Sequence, residues 1–537
     1  MPESKSSVDW IDHDTLIVSR AILPDDRTDS GYARRVVLWK RGQDLSDARI
    51  LFEAPRTVVA TYAYVSNDHG IQTVLIGSSI DYDRQDTYLL KDDLSLAQVH
   101  LPSGSSASAV SKSRIFFETK KPWREFETGV LLVAPISSLT NPSVEDPSVT
   151  IPDLQVVFRP SEHASLAQVY ATNEQVYVTL SENVRGQLYT AVFQSAHKNW
   201  KLEAVFKNSA NSFIIVSGDH SHNQLLVQEE GYLQPKRIQL VAEDGAREVK
   251  RAKSFFDEKK FASEQLWATS KDGTQIPYTV IKSNETKMDG SNPTLLYGYG
   301  GFEISLLPTY NGATGSLWLE KGGVFVVANI RGGGEFGPNW HRSAILENKQ
   351  RSYDDFIAVA EDLIARKITS PKRLGVQGGS NGGLLVGAVT MQRPELFNAV
   401  VCQIPLLDMI RYTELPPGAS WADEYGDPKD PKMREVILKY SPYQNISKTT
   451  SYPKMFFQTT QADDRVHPGH ARKMVARMKE FGHEVLLFES QDGGHGGGGV
   501  KPEDQARSAA NIYTYLYQQL MPLTETKLSS SSLSPSR

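Results

Sequence analysis

The run Arg373-Leu374-Gly375-Val376-Gln377-Gly378-Gly379-Ser380-Asn381-Gly382-Gly383-Leu384-Leu385-Val386-Gly387-Ala388 decides the fold. Its first part is a short apolar strand. Its last part is a small-residue helix, and between them stands G-x-S-x-G at 378–382. In this strand–turn–helix setting the motif is a nucleophile elbow. A serine at such a turn occupies strained backbone, so its neighbours must be small. The turn lifts Ser380 Oγ beyond the strand end, and the backbone N–H of Asn381, opening the helix, can donate to an oxyanion.

A serine hydroxyl needs a base to take its proton. In this fold the partners follow in the chain order Ser, Asp or Glu, His. After the apolar run PKMFFQTT comes Gln461-Ala462-Asp463-Asp464-Arg465-Val466, and after EVLLFES comes Gln491-Asp492-Gly493-Gly494-His495-Gly496. Both follow strand ends. Asp463 would fix the imidazole tautomer and His495 would accept the Ser380 proton. Asp464 and Asp492 are the rivals to Asp463. His467 and His470 have no third ligand at suitable spacing, so they are expected to be surface histidines, and no metal is expected.

Around this run, apolar strands alternate with helical patterns. NPTLLYGYG and GGVFVVANIRGGG precede RSYDDFIAVAEDLIARK, in which Phe356, Val359, Ala360 and Leu363 fall on one helical face. NAVVCQIP, PKMFFQTT, HARKMVARMKEFG and EVLLFES continue the alternation. Continuous apolar strands separated by helices imply a doubly wound, mostly parallel sheet covered on both faces.

Before about Lys253 the pattern differs. Short runs rich in β-branched and aromatic residues, such as RRVVLWKRG, IQTVLIGSS, RIFFETK, QVYVTLSEN and NSFIIVSGD, are bounded by Gly, Asn, Asp and Ser. Strand clusters recur every 40–50 residues or so, a spacing that suits propeller blades, with a β-sandwich pair as the competing reading. A polar stretch near 250–265 marks the boundary. The expected domains are a β-propeller over 1–255, a hydrolase domain over 256–522 and a disordered Ser/Pro-rich tail over 523–537.

The bulk composition excludes several classes. The chain of 537 residues has 39% hydrophobic and 23% charged residues, which suits a multidomain globular protein. With 58 basic and 63 acidic residues the formal net charge is -5, and no basic stripe suggests nucleic acid. The N-terminal MPESKSSVDWIDHD has no signal-peptide pattern, and no apolar run is long enough to span a bilayer. The single cysteine, Cys402, excludes an internal disulfide and fits a reducing compartment, so the expected location is cytoplasmic.

From about Leu295 to Met521 the chain resembles the prolyl oligopeptidase family of serine peptidases. The resemblance rests on LLYGYGGFEIS, NIRGGGEFGPNWH, NKQRSYDDF, TSPKRLGVQGGSNGGLLVGA, DEYGDP, YSPYQNI, ADDRV and GGHGGG, in that order. It implies a β-propeller over an α/β-hydrolase domain, with the active site between them. It implies Ser380, Asp463 and His495 as the triad and Tyr299 as the phenol completing the oxyanion hole beside Asn381. Arg465 would grip a substrate carbonyl. Phe302, Tyr440 and Val466 would line the pocket for the residue preceding the scissile bond. Arg331 falls in a family motif and is assigned no chemical step.

Two departures qualify the resemblance. Val436 stands where the proline-specific enzymes carry a stacking tryptophan, which puts strict proline selectivity in doubt. Strands also begin almost at once, with about five blades' worth of sequence. A ring this short either stays open or closes tightly around a different tunnel; an open one would leave strand edges and apolar faces uncovered, so lower stability, self-association and looser size filtering are expected. The leading expectation is an oligopeptidase or endopeptidase that hydrolyses short peptides through an acyl-enzyme without a cofactor. An acylaminoacyl-peptidase or carboxylesterase is the alternative within enzymes. A non-catalytic propeller scaffold is the alternative of another class.

Overall fold

The computed structural model describes residues 4–521 apart from 69, 82–83, 173, 207–209, 220–221, 416, 497 and 500. The expected tail at 523–537 lies outside the described residues. Over residues 7–251 the chain forms five four-stranded antiparallel sheets, each built from strands consecutive in sequence. The first strand of each sheet touches the first strand of the next. Apolar layers fill the space between neighbours. Ile17 and Val36 of the first sheet meet Val74 and Ile76 of the second. Leu75 and Val99 meet Val110 and Phe117, Phe116 and Leu131 meet Val176 and Val178, and Tyr177 and Leu188 meet Phe213 and Val227. Continuous apolar runs, such as Ile115–Phe117 and Leu131–Ala134, whose successive residues point to opposite sides, give each inner sheet two faces to bury. Val8 and Trp10 on the first sheet and Ile214 and Val216 on the fifth stand exposed.

The fifth sheet ends at Arg251, and an eight-stranded sheet begins at Phe261. Its strands are β1 (Phe261–Thr269), β2 (Gln275–Ser283), β3 (Thr294–Tyr297), β4 (Val324–Ala328), β5 (Leu374–Gly379), β6 (Ala399–Gln403), β7 (Met455–Thr460) and β8 (Val485–Ser490). The order is β1-β2-β4-β3-β5-β6-β7-β8. β1–β2 and β2–β4 pair antiparallel, and the remaining pairs are parallel. Helices α1 (Gln350–Ala365), α2 (Asn381–Gln392), α3 (Pro431–Tyr440), α4 (Gly469–Glu480) and α5 (Pro502–Leu520) accompany the sheet. The α1 face expected from periodicity, Phe356, Val359, Ala360 and Leu363, is fully buried. Cys402 on β6 is buried too, and its Sγ donates to the Gly383 carbonyl at 3.3 Å. No helix among the described residues is long and apolar enough to cross a membrane.

Arg331, beyond the end of β4, is structural. Its backbone N–H and Nε donate to Asp355 Oδ2 at 3.0 and 2.9 Å, and its Nη2 donates to Oδ1 at 2.6 Å. Nη1 reaches Asp272 at 2.6 Å in the β1–β2 turn. The pair ties the sheet to α1, and Asp355 is fully buried. Removing one partner leaves a buried charge uncompensated, so Arg331→Met is expected to cost about 3–5 kcal/mol in urea unfolding. Adding Asp355→Leu should recover part of that loss. An equal or larger loss in the double variant would show that the ion pair itself supplies the stability.

Candidate active site

Ser380 follows β5 with φ 59° and ψ −120°, the left-handed region a side chain rarely adopts. Its backbone N–H donates to the Gln403 carbonyl at 2.9 Å, at the end of β6. Two neighbours have no room for a side chain. A Cβ on Gly378 would lie 2.2 Å from the Gly382 carbonyl oxygen, and one on Gly382 would lie 2.8 Å from that of Gly298. The turn therefore demands the glycines that the sequence places there. Asn381 opens α2, where the first N–H groups lack intrahelical partners.

Asp463 and His495 meet from the ends of two neighbouring strands. Asp463 follows β7, and His495 sits on a short 3-10 turn after β8. His495 Nδ1 lies 2.9 Å from Asp463 Oδ1 and 3.0 Å from Oδ2, with the carboxylate fully buried. A carboxylate can only accept, so Nδ1 is the donor of this pair and Nε2 is the ring nitrogen left to face a reacting group. Asp463 Oδ1 also accepts from the backbone N–H groups of Arg465 and Val466 at 3.0 and 2.9 Å. Asp464 pairs with Lys5 of the N-terminal region at 3.3 Å, and its carboxylate accepts from the backbone N–H of His495 rather than from the imidazole. Asp492 is exposed. Among the described residues no direct hydrogen bond joins Ser380 to His495. Such bonds are commonly long without substrate and tighten on binding.

Tyr299, just beyond β3, lies beside the Ser380 side chain. Burial pushes its phenol up to about 12, so it remains a protonated donor throughout the neutral range. Arg465 is exposed, and its guanidinium forms no ion pair among the described residues. Phe302 is half-buried, adopts φ 55° and packs edge-on against Tyr425 at 5.7 Å. Val436 on α3 is half-buried against the core. Tyr440 and Val466 are each 2% exposed, and the Tyr440 ring lies 5.3 Å from that of Tyr353.

One expectation is corrected. His467 is exposed, but His470 is 1% exposed on the inner face of α4. Its Nδ1 accepts from the backbone N–H groups of Leu407 and Asp408 at 3.2 and 3.1 Å. Burial pulls its pKa down to about 4, so it is a neutral core acceptor.

The sequence reading missed a buried polar group behind Tyr299. Glu424, 4% exposed, accepts from Lys349 Nζ at 2.7 Å, His341 Nε2 at 2.8 Å and the Phe302 N–H at 3.1 Å. Lys349 Nζ also donates to the Gly300 carbonyl at 3.0 Å. The Asn381 side chain donates to the Tyr299 carbonyl at 2.6 Å and accepts from the Tyr425 hydroxyl at 2.7 Å. Burial pushes the Glu424 pKa up, but Lys349 and His341 outweigh it and hold the carboxyl below its ordinary value.

A mostly parallel sheet of this order, with a serine on a left-handed turn after its fifth strand, defines an α/β-hydrolase. Residues 309–522 match the model of the prolyl oligopeptidase family. An uncharacterized peptidase, y4nA, of Sinorhizobium fredii is 39% identical over 536 residues, covering 97% of this chain and 72% of that protein. An uncharacterized peptidase, RP174, of Rickettsia prowazekii is 34% identical over 523 residues, covering 95% and 71%. The solved structure of a post-proline cleaving enzyme from Rickettsia typhi superposes with a TM-score of 0.89 at 33% identity, covering 96% of this chain and 75% of that one. The chain belongs to the prolyl oligopeptidase family and is a serine peptidase.

The two adjacent carboxylates can be told apart by experiment. Asp463→Asn removes the partner of His495 and is expected to lower kcat by about 10⁴-fold. Asp464→Asn, which weakens a part-exposed ion pair and keeps an oxygen for the His495 backbone N–H, should change it less than about threefold. Steady-state kinetics of both variants checks the assignment, and the reverse order would make Asp464 the functional carboxylate.

Proposed function

We propose that the chain hydrolyses short peptides through an acyl-enzyme on Ser380, with His495 as base and Asp463 as its orienting partner. The buried His495–Asp463 pair, at the same carboxyl edge of the sheet as a serine on a left-handed elbow, carries the reading. Ser380 Oγ attacks the scissile carbonyl carbon as its proton passes to His495 Nε2. The oxyanion accepts hydrogen bonds from the Asn381 N–H and the Tyr299 hydroxyl. The C–N bond then breaks and the imidazolium gives its proton to the leaving amine. Water, deprotonated by His495, releases the acid and regenerates the serine. Arg465, with no protein counter-ion among the described residues, offers its guanidinium to a peptide carbonyl.

The five sheets, joined through their first strands, are read as propeller blades over the hydrolase domain. The Rickettsia typhi enzyme is named as post-proline cleaving, which supports a pocket able to take proline. Phe302, Val436, Tyr440 and Val466 are its proposed walls. Val436 supplies no aromatic face, so proline and alanine should both be accepted before the cleaved bond. The difference should stay within the roughly 10–200-fold that a small apolar change produces.

A fluorophosphonate should label Ser380, located by peptide mass mapping, and Ser380→Ala should abolish both labelling and peptide hydrolysis. Retention of a tenth of the activity would refute the nucleophile. Val436→Trp should raise the proline-to-alanine ratio in a substrate library, and an unchanged ratio would remove Val436 from the pocket. Tyr299→Phe should lower kcat by about a hundredfold with little change in KM.

A further inference from the structure

The loop that carries Tyr299 is held in an unfavourable shape. Gly300, Phe302 and Glu303 have φ values of 64°, 55° and 56°. For Phe302 and Glu303, which carry Cβ atoms, left-handed backbone persists only when surrounding contacts over-determine it. Glu303 is held by the Gly332 carbonyl at 3.2 Å and by Lys120 at 2.8 Å, whereas the contacts on the residues between it and Tyr299 lead to one buried carboxylate. Glu424 holds the Phe302 N–H directly and holds the Gly300 carbonyl through Lys349. The neighbouring Tyr425 grips Asn381, whose amide in turn holds the Tyr299 carbonyl. All three peptide units that join residues 299–302 are thereby anchored to a single dipeptide, Glu424-Tyr425. Lys349 is fully buried and Glu424 nearly so. Two charges withdrawn from water in this way need close pairing and further hydrogen bonds, which His341 and the loop backbone supply.

We propose that Glu424 is a positioning residue for the oxyanion hole, fixing the backbone on either side of Tyr299 so that its hydroxyl is aimed beside Ser380. This rests on the reading of Tyr299 as an oxyanion donor. Glu424 touches no reacting atom. Its effect passes through the geometry of the phenol, because a donor is useful only where the developing oxyanion will sit. Glutamine in its place keeps the volume and the acceptor for the Phe302 N–H but loses the charge that pairs Lys349.

The test is a double-mutant cycle on the full chain, with fluorophosphonate active-site titration correcting each variant for its folded fraction. Glu424→Gln should lower kcat by about tenfold or more and change KM by less than about threefold. In a Tyr299→Phe background the same substitution should lower kcat less than about twofold, because the group it positions has gone. An unchanged kcat in Glu424→Gln, or an equal loss in both backgrounds, overturns the proposal. If Glu424→Gln fails to fold, His341→Gln replaces it. That variant removes one partner of the carboxylate and leaves Lys349 in place. It should lower kcat by about threefold in the wild-type background and not in Tyr299→Phe, and any other pattern refutes the role. Tyr299→Phe alone separates this inference from the reading beneath it. A wild-type kcat there removes the phenol from catalysis and this inference with it. A slowed Tyr299→Phe beside an unaffected Glu424→Gln removes only the inference.

Discussion

The backbone of Ser380 is the constraint on which the rest of this molecule turns. A side-chain-bearing residue held at φ 59° and ψ −120° costs on the order of 1–3 kcal/mol, which the surrounding packing must offset. The β6 end holds its N–H, and close approach of Gly378 to Gly382 and of Gly382 to Gly298 leaves the turn no alternative path. The turn therefore fixes the spacing of β3, β5 and α2. Because β3, β5, β6, β7 and β8 run parallel, their carboxyl ends lie along one edge. Residues far apart in sequence, Tyr299, Ser380, Asp463 and His495, each follow one of those ends. Clefts at that edge are where open α/β sheets bind ligands.

Much of the sheet was legible in the chain. Short continuous apolar runs such as Val324–Ala328 between turn residues fit strands buried on both faces, and the period of Phe356, Val359, Ala360 and Leu363 fits one side of a helix. The antiparallel β1–β2 pair was not legible. Its first strand, FASEQLWAT, mixes polar and apolar residues because one face is exposed, and it lies in the stretch read as a polar seam. His470 was misread for a related reason: α4 is rich in Arg and Lys, and only its three-dimensional packing shows which face turns inward. The cluster of His341, Lys349 and Glu424 could not have been found by inspection. Charged residues are exposed by default, and nothing in linear order couples 341, 349 and 424. Their motifs, NIRGGGEFGPNWH, NKQRSYDDF and DEYGDP, were visible without any assigned role.

Contacts between the N-terminal sheets and the hydrolase domain combine aromatic packing, as of His163 on Phe336 at 4.7 Å, with polar joins. Ser165 Oγ donates to the Glu335 carbonyl at 3.0 Å, and Ser212 Oγ to that of Pro308 at 2.7 Å. Lys120 bridges Glu118 and Glu303 at 2.7 and 2.8 Å, and Lys5 reaches Asp464. Glu303 directly follows Phe302 on the Tyr299 loop, and Asp464 directly follows Asp463. Both ion pairs thus end one residue from groups assigned to the site. Polar joins of this kind resemble transient interfaces more than a shared core. The loops bearing the site accordingly meet the rest of the chain through charges, while the strands beneath them are fixed by packing.

The lone cysteine lies at the centre of that packing. Cys402 sits on β6, immediately before Gln403, whose carbonyl holds the elbow. Burial holds its thiol far above the ordinary range, so almost no thiolate forms at neutral pH. Because the thiolate is the reactive form, the native protein is inert toward alkylating reagents and becomes reactive only when β6 opens. The rate of Cys402 alkylation is therefore a clock for opening of the sheet directly under the nucleophile, readable by mass without adding a probe to the chain.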